Sequence, residues 1–310
     1  MAQPESTVPL RGRHAAPAPS DARVAVVIIT RDRADELLHT LERLARLAER
    51  PHVVVVDQGP GRRAAEAVRR RFPAVEVIAL GEDHGAAGRN VGVRAVDAPY
   101  VAFCDDDSWW APGALDRATG LLDAHPQIGL IAGRVLLGDD EQLDPACAEM
   151  AASPLDGDPG LPGRRVLGFV ACGAVVRRSA FLEAGGFHRR LGVGGEEQLL
   201  AVDLAARGWE LVYRDDVVAH HHPSQIRDRR RRAELRARNQ LWFAWLRRHH
   251  PTALRISRAA LLAAARQPAA RAGLLHAVSG ARWALANRRP VPAWLEADLR
   301  ALDAAAESDT

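Results

Sequence analysis

Three apolar runs that each stop at a polar loop constrain this chain more than any other feature. Val24–Ile29 runs into Thr30, Val53–Val56 into Asp57, and Tyr100–Cys104 into Asp105. None alternates polar with apolar, so each reads as a strand buried on both faces. Between the first two, Leu37, Leu38, Leu41, Leu44 and Leu47 fall at helical spacing, which predicts a helix from Asp32 or Asp35 to Arg50. Gly59-Pro60-Gly61 then breaks the chain before a helix near Arg62–Arg71 and a short strand over Val75–Leu80. Gly81–Gly88 reads as a loop, and Arg89–Val96 as a helix with Asn90 and Gly92 near its start. Strands and helices in this alternation predict an α/β fold built on a doubly wound, mostly parallel sheet. Ligands of such sheets sit at the carboxyl ends of the strands. Thr30-Arg31-Asp32, Asp57-Gln58 and Asp105-Asp106-Asp107 would therefore meet in one crevice.

Downstream, a helix is predicted over Gly113–Ala124, strands over Ile128–Leu137 and Val166–Arg177, and a surface loop over the Pro/Gly/Asp-rich Ser153–Gly163. A short helix follows over Ser179–Ala184, then Gly185-Gly186, then a helix over Glu196–Arg207 closed by Gly208. Two short strands, Leu211–Tyr213 and Val217–Ala219, lead to His220-His221-His222. From Arg227 the chain turns Ala-, Leu- and Arg-rich with helical periodicity, broken at Pro251, Pro268 and Pro290. This gives a disordered lead-in over 1–21, a catalytic domain over 22–226 and a helical C-terminal region over 227–310. The halves 22–110 and 111–226 would hold the ligand and its reaction partner respectively.

Composition excludes little. Apolar residues make up 47% and charged residues 26% of the 310, ordinary values for a chain with a sizeable core. No run approaches the roughly 18 apolar residues of a membrane span, and Met1–Asp21 has no apolar signal segment. The formal charge is +3 with a pI near 9.1, yet all 42 basic residues are arginine. Such uniformity reflects codon bias as much as selection for a polyanionic partner. Cys104, Cys147 and Cys172 lack metal-type spacing and read as reduced thiols of a cytoplasmic protein.

The acidic run carries the chemistry. Two carboxylates one residue apart at a strand end can share a divalent cation, and that cation can neutralise a departing pyrophosphate. Elsewhere in a chain such a run is usually a solvated turn capping the next helix. Here the buried strand before it and Trp109-Trp110 after it favour the metal site.

The series VVIITRDR, VVVVDQG, HGAAGRNVGV, VAFCDDD, a GGF turn, GEEQLLAVDLAARGW and HHHPS, in that order over Val24–Ser224, resembles the family 2 glycosyltransferases of the GT-A fold. The resemblance implies an inverting transfer of a sugar from a nucleoside-diphosphate sugar to an acceptor hydroxyl, assisted by Mn²⁺ or Mg²⁺. It implies nucleoside contacts from Thr30, Arg31 and Asp57, with Gln58 where the family shows a second acid. Arg89 and Asn90 would reach the donor or brace the metal loop. Asp105 would meet ribose and metal, Asp107 would ligate the metal, and Asp106 would be secondary. Glu197 stands where the family has its general base, usually Asp, and Glu196 is its rival. The family's acid and arginine later in that helix appear here as Leu199 and Asp203. A histidine after the last strand often completes the metal site. His220 and His222 alternate on one side of an extended segment, and His220 is the favoured match.

Other readings attach to the tail. Arginine takes seven of the twelve positions in Arg227–Arg238. A solvated helix face explains such a run most simply, an anionic membrane surface next, and nucleic acid least. Trp242, Phe243 and Trp245 would pack on the catalytic domain, or the tail would form a homodimer contact. A nucleotidyltransferase would need an early glycine-rich phosphate loop, and Thr30-Arg31-Asp32 contains no glycine.

Overall fold

The computed structural model describes residues 23–223 and 229–308. The expected lead-in over 1–21 and the junction at 226/227 lie outside the described residues. The first half alternates as its pattern dictates: β1 (Val24–Thr30), α1 (Ala34–Leu44), β2 (His52–Asp57), α2 (Arg63–Arg71), β3 (Glu76–Ala79), α3 (Gly88–Ala95) and β4 (Tyr100–Asp105). A short β5 (Ser108–Trp110) precedes α4 (Ala114–Ala124), β6 (Ile128–Leu137), β7 (Gln142–Leu143), α5 (Pro145–Ala151) and β8 (Arg164–Arg165). Then come β9 (Ala174–Arg177), α6 (Arg178–Ala184), α7 (Glu196–Ala205) and β10 (Glu210–His221). The chain closes with α8 (Arg229–Arg247), α9 (His250–Arg266), α10 (Pro268–Ser279), α11 (Ala281–Ala286) and α12 (Ala293–Ser308).

The strands form one sheet in the order β3-β2-β1-β4-β9-β6-β10-β5. β3, β2, β1 and β4 are mutually parallel, whereas β9 runs antiparallel between β4 and β6. Alternate residues of β1 feed two cores: Ala25 and Val27 join one cluster, Val24, Val26 and Ile28 the other. Each such fully buried side chain contributes roughly 1.5–3 kcal/mol, which is why these runs tolerate no polar residue.

Three local expectations fail. The strand expected over Val166–Arg177 is reduced to β9, because Ala171–Gly173 forms a 3-10 turn. The two strands expected between Leu211 and Ala219 are one, β10, with a bulge between Arg214 and Val218. α1 is capped by Arg33 rather than by Asp32 or Asp35, and no side chain bonds to its first turn.

The C-terminal helices belong to the main body. Leu241, Trp242, Phe243 and Leu246 of α8 share a core cluster with Phe187 and Leu199. Glycines let the helices approach closely: a Cβ on Gly280 would lie 2.4 Å from the Trp242 ring, and one on Gly273 2.6 Å from Ala237. Arg247 clasps Asp203 of α7 with contacts of 2.5 and 2.9 Å. Arg165 reaches Asp298 of α12 at 2.7 Å. No helix among the described residues is long and apolar enough to cross a membrane.

Candidate active site

The parallel register brings the polar strand ends level. Thr30 pairs with Asp57 across β1 and β2, and Ile29 pairs with Asp105 across β1 and β4. Asp57 sits at this edge with both carboxylate oxygens engaged, accepting from the Gly59 and Ala65 N–H groups at 3.0 and 3.2 Å. It therefore caps the first turn of α2, and burial raises its pKa despite those bonds. Arg31 lies on the surface, ion-paired with Asp83.

The three aspartates of the acidic run take separate tasks. Asp106 turns inward and is buried. It accepts from Thr30 Oγ1 at 2.9 Å and pairs with Arg33 at 2.6 Å, while its carbonyl accepts from Thr40 Oγ1. Burial pushes its carboxyl up to about 7 against the pull of Arg33. The polar atoms of Thr30 and Asp106 thus brace the loop from inside. Asp107 pairs with Arg33 at 2.9 Å and with His221 Nε2 at 3.3 Å. Burial acts to raise its pKa, but the His221 and Arg33 partners outweigh it and hold the carboxyl well below the usual range. Asp105, the most open of the three, pairs with Arg89.

The histidine assignment is corrected by strand register. β5 and β10 are antiparallel, with His221 opposite Ser108 and His220 opposite Trp109. Successive side chains of a strand point to opposite faces. His221 therefore faces Asp107, and His220 and His222 face the other way. His220 stacks on Trp109 at 5.7 Å, with Nδ1 3.3 Å from Glu141. His222 lies 4.7 Å from the same ring and pairs with Asp139. These two line a separate cleft of about 380 Å³ rather than the acidic run.

Arg89 projects from the first turn of α3, is buried, and lies 5.5 Å from the Phe187 ring. Asn90 follows it in α3. Its amide donates to the Phe187 carbonyl at 2.8 Å and its Oδ1 accepts from the Phe187 N–H at 2.9 Å. Both its polar ends thus hold the Gly185-Gly186-Phe187 turn in place. At Gly186, φ is +69° and a Cβ would lie 2.5 Å from Asn90 Oδ1, so only glycine fits there.

Glu196 and Glu197 open α7 behind a loop whose Gly192, Gly194 and Gly195 all have positive φ. The loop is held from two sides. Ala86 N–H donates to the Gly192 carbonyl at 3.1 Å, and Asn239 Nδ2 of α8 donates to the Leu191 and Gly194 carbonyls at 2.9 and 2.6 Å. Glu196 is buried, and its Oε2 has no hydrogen-bond partner among the described residues. Glu197 is half-buried. Burial raises the pKa of both; the charge of Glu197 raises Glu196 further, while Arg89 lowers each.

Among the described residues, ligand atoms of Asp105, Cys172 and His221 lie within 4.8 Å of one another, as a shared cation would require. The Cys172 thiol is pushed well above its ordinary pKa by burial and then by Asp105, so it stays protonated and is a poor ligand for a hard ion. Asp107 stands outside that group but reaches His221 Nε2 at 3.3 Å, and carboxylates with an imidazole are the donor types that suit Mn²⁺ or Mg²⁺. Sequence reasoning missed Arg33, Cys172, His221 and Asn239. Strand alternation around Trp109 was the one available signal, and it concerned His221 alone.

Comparison with known proteins bears on this arrangement. The model of the family described as Glycosyl transferase family 2 matches residues 25–185. The chain is 25% identical over 259 residues to N-acetylglucosaminyl-diphospho-decaprenol L-rhamnosyltransferase of Mycobacterium tuberculosis, covering 73% of this chain and 84% of that protein. It is 31% identical over 220 residues to pre-mycofactocin glycosyltransferase of the same organism, covering 68% and 45% respectively. In fold it is similar to the mannosyltransferase PcManGT from Pyrobaculum calidifontis in complex with GDP-Man and Mn²⁺, with TM-score 0.57 and 21% identity over 96% of this chain and 91% of that one. TarS of S. aureus in complex with UDP-GlcNAc superposes with TM-score 0.53 and 14% identity, covering 70% and 66%.

Proposed function

The chain belongs to glycosyl transferase family 2, and from that premise we propose that it moves a sugar from a nucleoside-diphosphate sugar to an acceptor hydroxyl with inversion. The observation that carries the reading is the place of His221, within 4.8 Å of an Asp105 oxygen and 3.3 Å from Asp107, beside Arg89, whose charge also reaches Glu196 and Glu197. Asp105, Asp107 and His221 would hold a divalent cation, which would supply positive charge to the departing diphosphate. Arg33 fixes Asp107 from behind, and Arg89 fixes Asp105, so neither carboxylate reorganises on binding.

Glu197 is the base. It is the more open of the two glutamates, and its raised pKa makes it a stronger proton acceptor than an ordinary carboxylate. It takes the acceptor hydroxyl proton as that oxygen bonds to the anomeric carbon and the bond to the diphosphate breaks on the opposite face. Glu196 stays behind it, its own carboxyl raised by burial and then by the charge of Glu197. The pairing of sugar nucleotide with Mn²⁺ in PcManGT supports the donor class.

A thermal-shift screen of nucleoside diphosphates with and without Mn²⁺ tests the reading. We expect a metal-dependent shift with one nucleotide that disappears in Asp107→Ala. No metal-dependent shift with any nucleotide would overturn it.

A further inference from the structure

From Leu235 to Leu295 the sequence contains no aspartate or glutamate and eleven arginines. Some of these are used internally, Arg247 by Asp203 and Arg248 by Glu296 and Asp303. Arg258 and Arg282 are exposed and stand among apolar neighbours. On α9, Leu254, Arg258 and Leu261 follow one another at spacings of four and three, with Leu262 alongside. On α10 and α11, Leu275, Val278, Arg282 and Leu285 continue the same spacing past Gly280. Within each helix, side chains so spaced share one face. All six of these apolar residues are more than half exposed. α9 and α10 pack on each other and on α8, whose buried side carries Leu241, Trp242 and Phe243. The apolar residues on the outer face are therefore surplus to the core.

We propose that these outer faces of α9, α10 and α11 dock on an anionic lipid surface. Arginines interleaved with aliphatic side chains match a bilayer that offers negative headgroups above an apolar interior, and the nearby acids Asp303 and Glu307 are taken up by Arg255. A second copy of the chain fits worse. A two-fold contact would set Arg258 and Arg282 against their own copies, while Asp303 and Glu307 are already paired with Arg255. Nucleic acid would neutralise the arginines yet leave the leucines and Val278 against phosphate and water.

Docking is independent of the transfer chemistry, so it can be tested on the full chain without donor or metal. Flotation would be run with vesicles of phosphatidylcholine alone and with phosphatidylglycerol added. The full chain should float only with the anionic vesicles, and less at high salt. Leu261→Glu with Leu275→Glu should abolish flotation while the circular dichroism spectrum and melting temperature stay unchanged. Arg258→Ala and Arg282→Ala should each weaken binding about fivefold. Equal flotation of the Glu double variant would overturn the proposal, as would no binding to anionic vesicles. So would a dimer in sedimentation that Leu275→Glu dissolves while vesicles go unbound, or RNA binding that the leucine variants leave unchanged.

Discussion

Two clusters of buried charge lie in this molecule, and they are built in opposite ways. In the C-terminal helices, Glu296 accepts from Arg248 at 3.0 Å, from Thr252 at 2.6 Å and from the His249 N–H, while Arg248 also holds Asp303 at 2.9 Å. Burial acts to raise Glu296, but these partners outweigh it and leave its pKa lowered. At the strand ends, the buried cations beside five carboxylates are few. Asp106 and Glu196 titrate above their ordinary values, and one Glu196 oxygen is unbonded. A balanced cluster is complete as folded, whereas an acid-rich one is costly until something positive or a proton enters it. The difference marks which cluster serves stability and which serves chemistry.

Four measurements would break or sharpen that contrast. Replacing Glu197 by Gln should lower kcat about 10²- to 10⁴-fold with donor binding kept, since it removes the base without emptying the donor site. If Glu196→Gln alone abolishes transfer, the roles of the two glutamates are reversed. In the other cluster, Arg248→Ala leaves Glu296 buried without its main cation and should cost about 3–5 kcal/mol in denaturant unfolding. A loss comparable to a surface substitution would show that the helices are only loosely joined.

Asn239→Ala links the two regions. It strips the Leu191 and Gly194 carbonyls of their side-chain donor and should cost about 1–3 kcal/mol. Because that loop aims α7, kcat should fall while donor affinity stays unchanged. Asn239→Asp, with no N–H to give, should not rescue it. An equal fall in melting temperature with unchanged kcat would reduce Asn239 to a structural tie.

The smallest effect separates the clusters by pH. The folded pKa of Glu196 is raised, so its ionisation disfavours the fold once pH rises through the ordinary carboxylate range and beyond. Glu196→Gln should therefore stabilise the chain at pH 8, by roughly 1 kcal/mol or a few degrees, with the gain gone near pH 4. Glu296 has the opposite sign. Its lowered pKa contributes stability above the ordinary value, which is lost as pH falls through the folded one. Glu296→Gln should destabilise at pH 8, and by less in acid. Melting curves of both variants against pH, showing the same sign, would erase the distinction.

Much of the sheet was legible because a strand buried on both faces admits only apolar residues, so β1, β2 and β4 announce themselves. β9 was not, since four residues within a longer apolar stretch carry no mark of direction. Its antiparallel setting comes from pairing with both β4 and β6. The family was legible in the ordered motifs, whose residues, once folded, meet at one edge.

What the sequence determined alone was which residue types reach the strand ends, Asp105, Asp107 and a histidine, with Glu196 and Glu197 marked by their place in the ordered motifs. A local run of apolar residues ending in a polar turn is enough for that. Only the tertiary structure decided which of them face one another. The antiparallel pairing of β5 and β10 chose His221 over His220 and His222. The packing of α8 on the glycine loop brought in Asn239, and a distant 3-10 turn placed Cys172 beside Asp105. Each of these depends on contacts between segments far apart in the chain, and local spacing carries no trace of them.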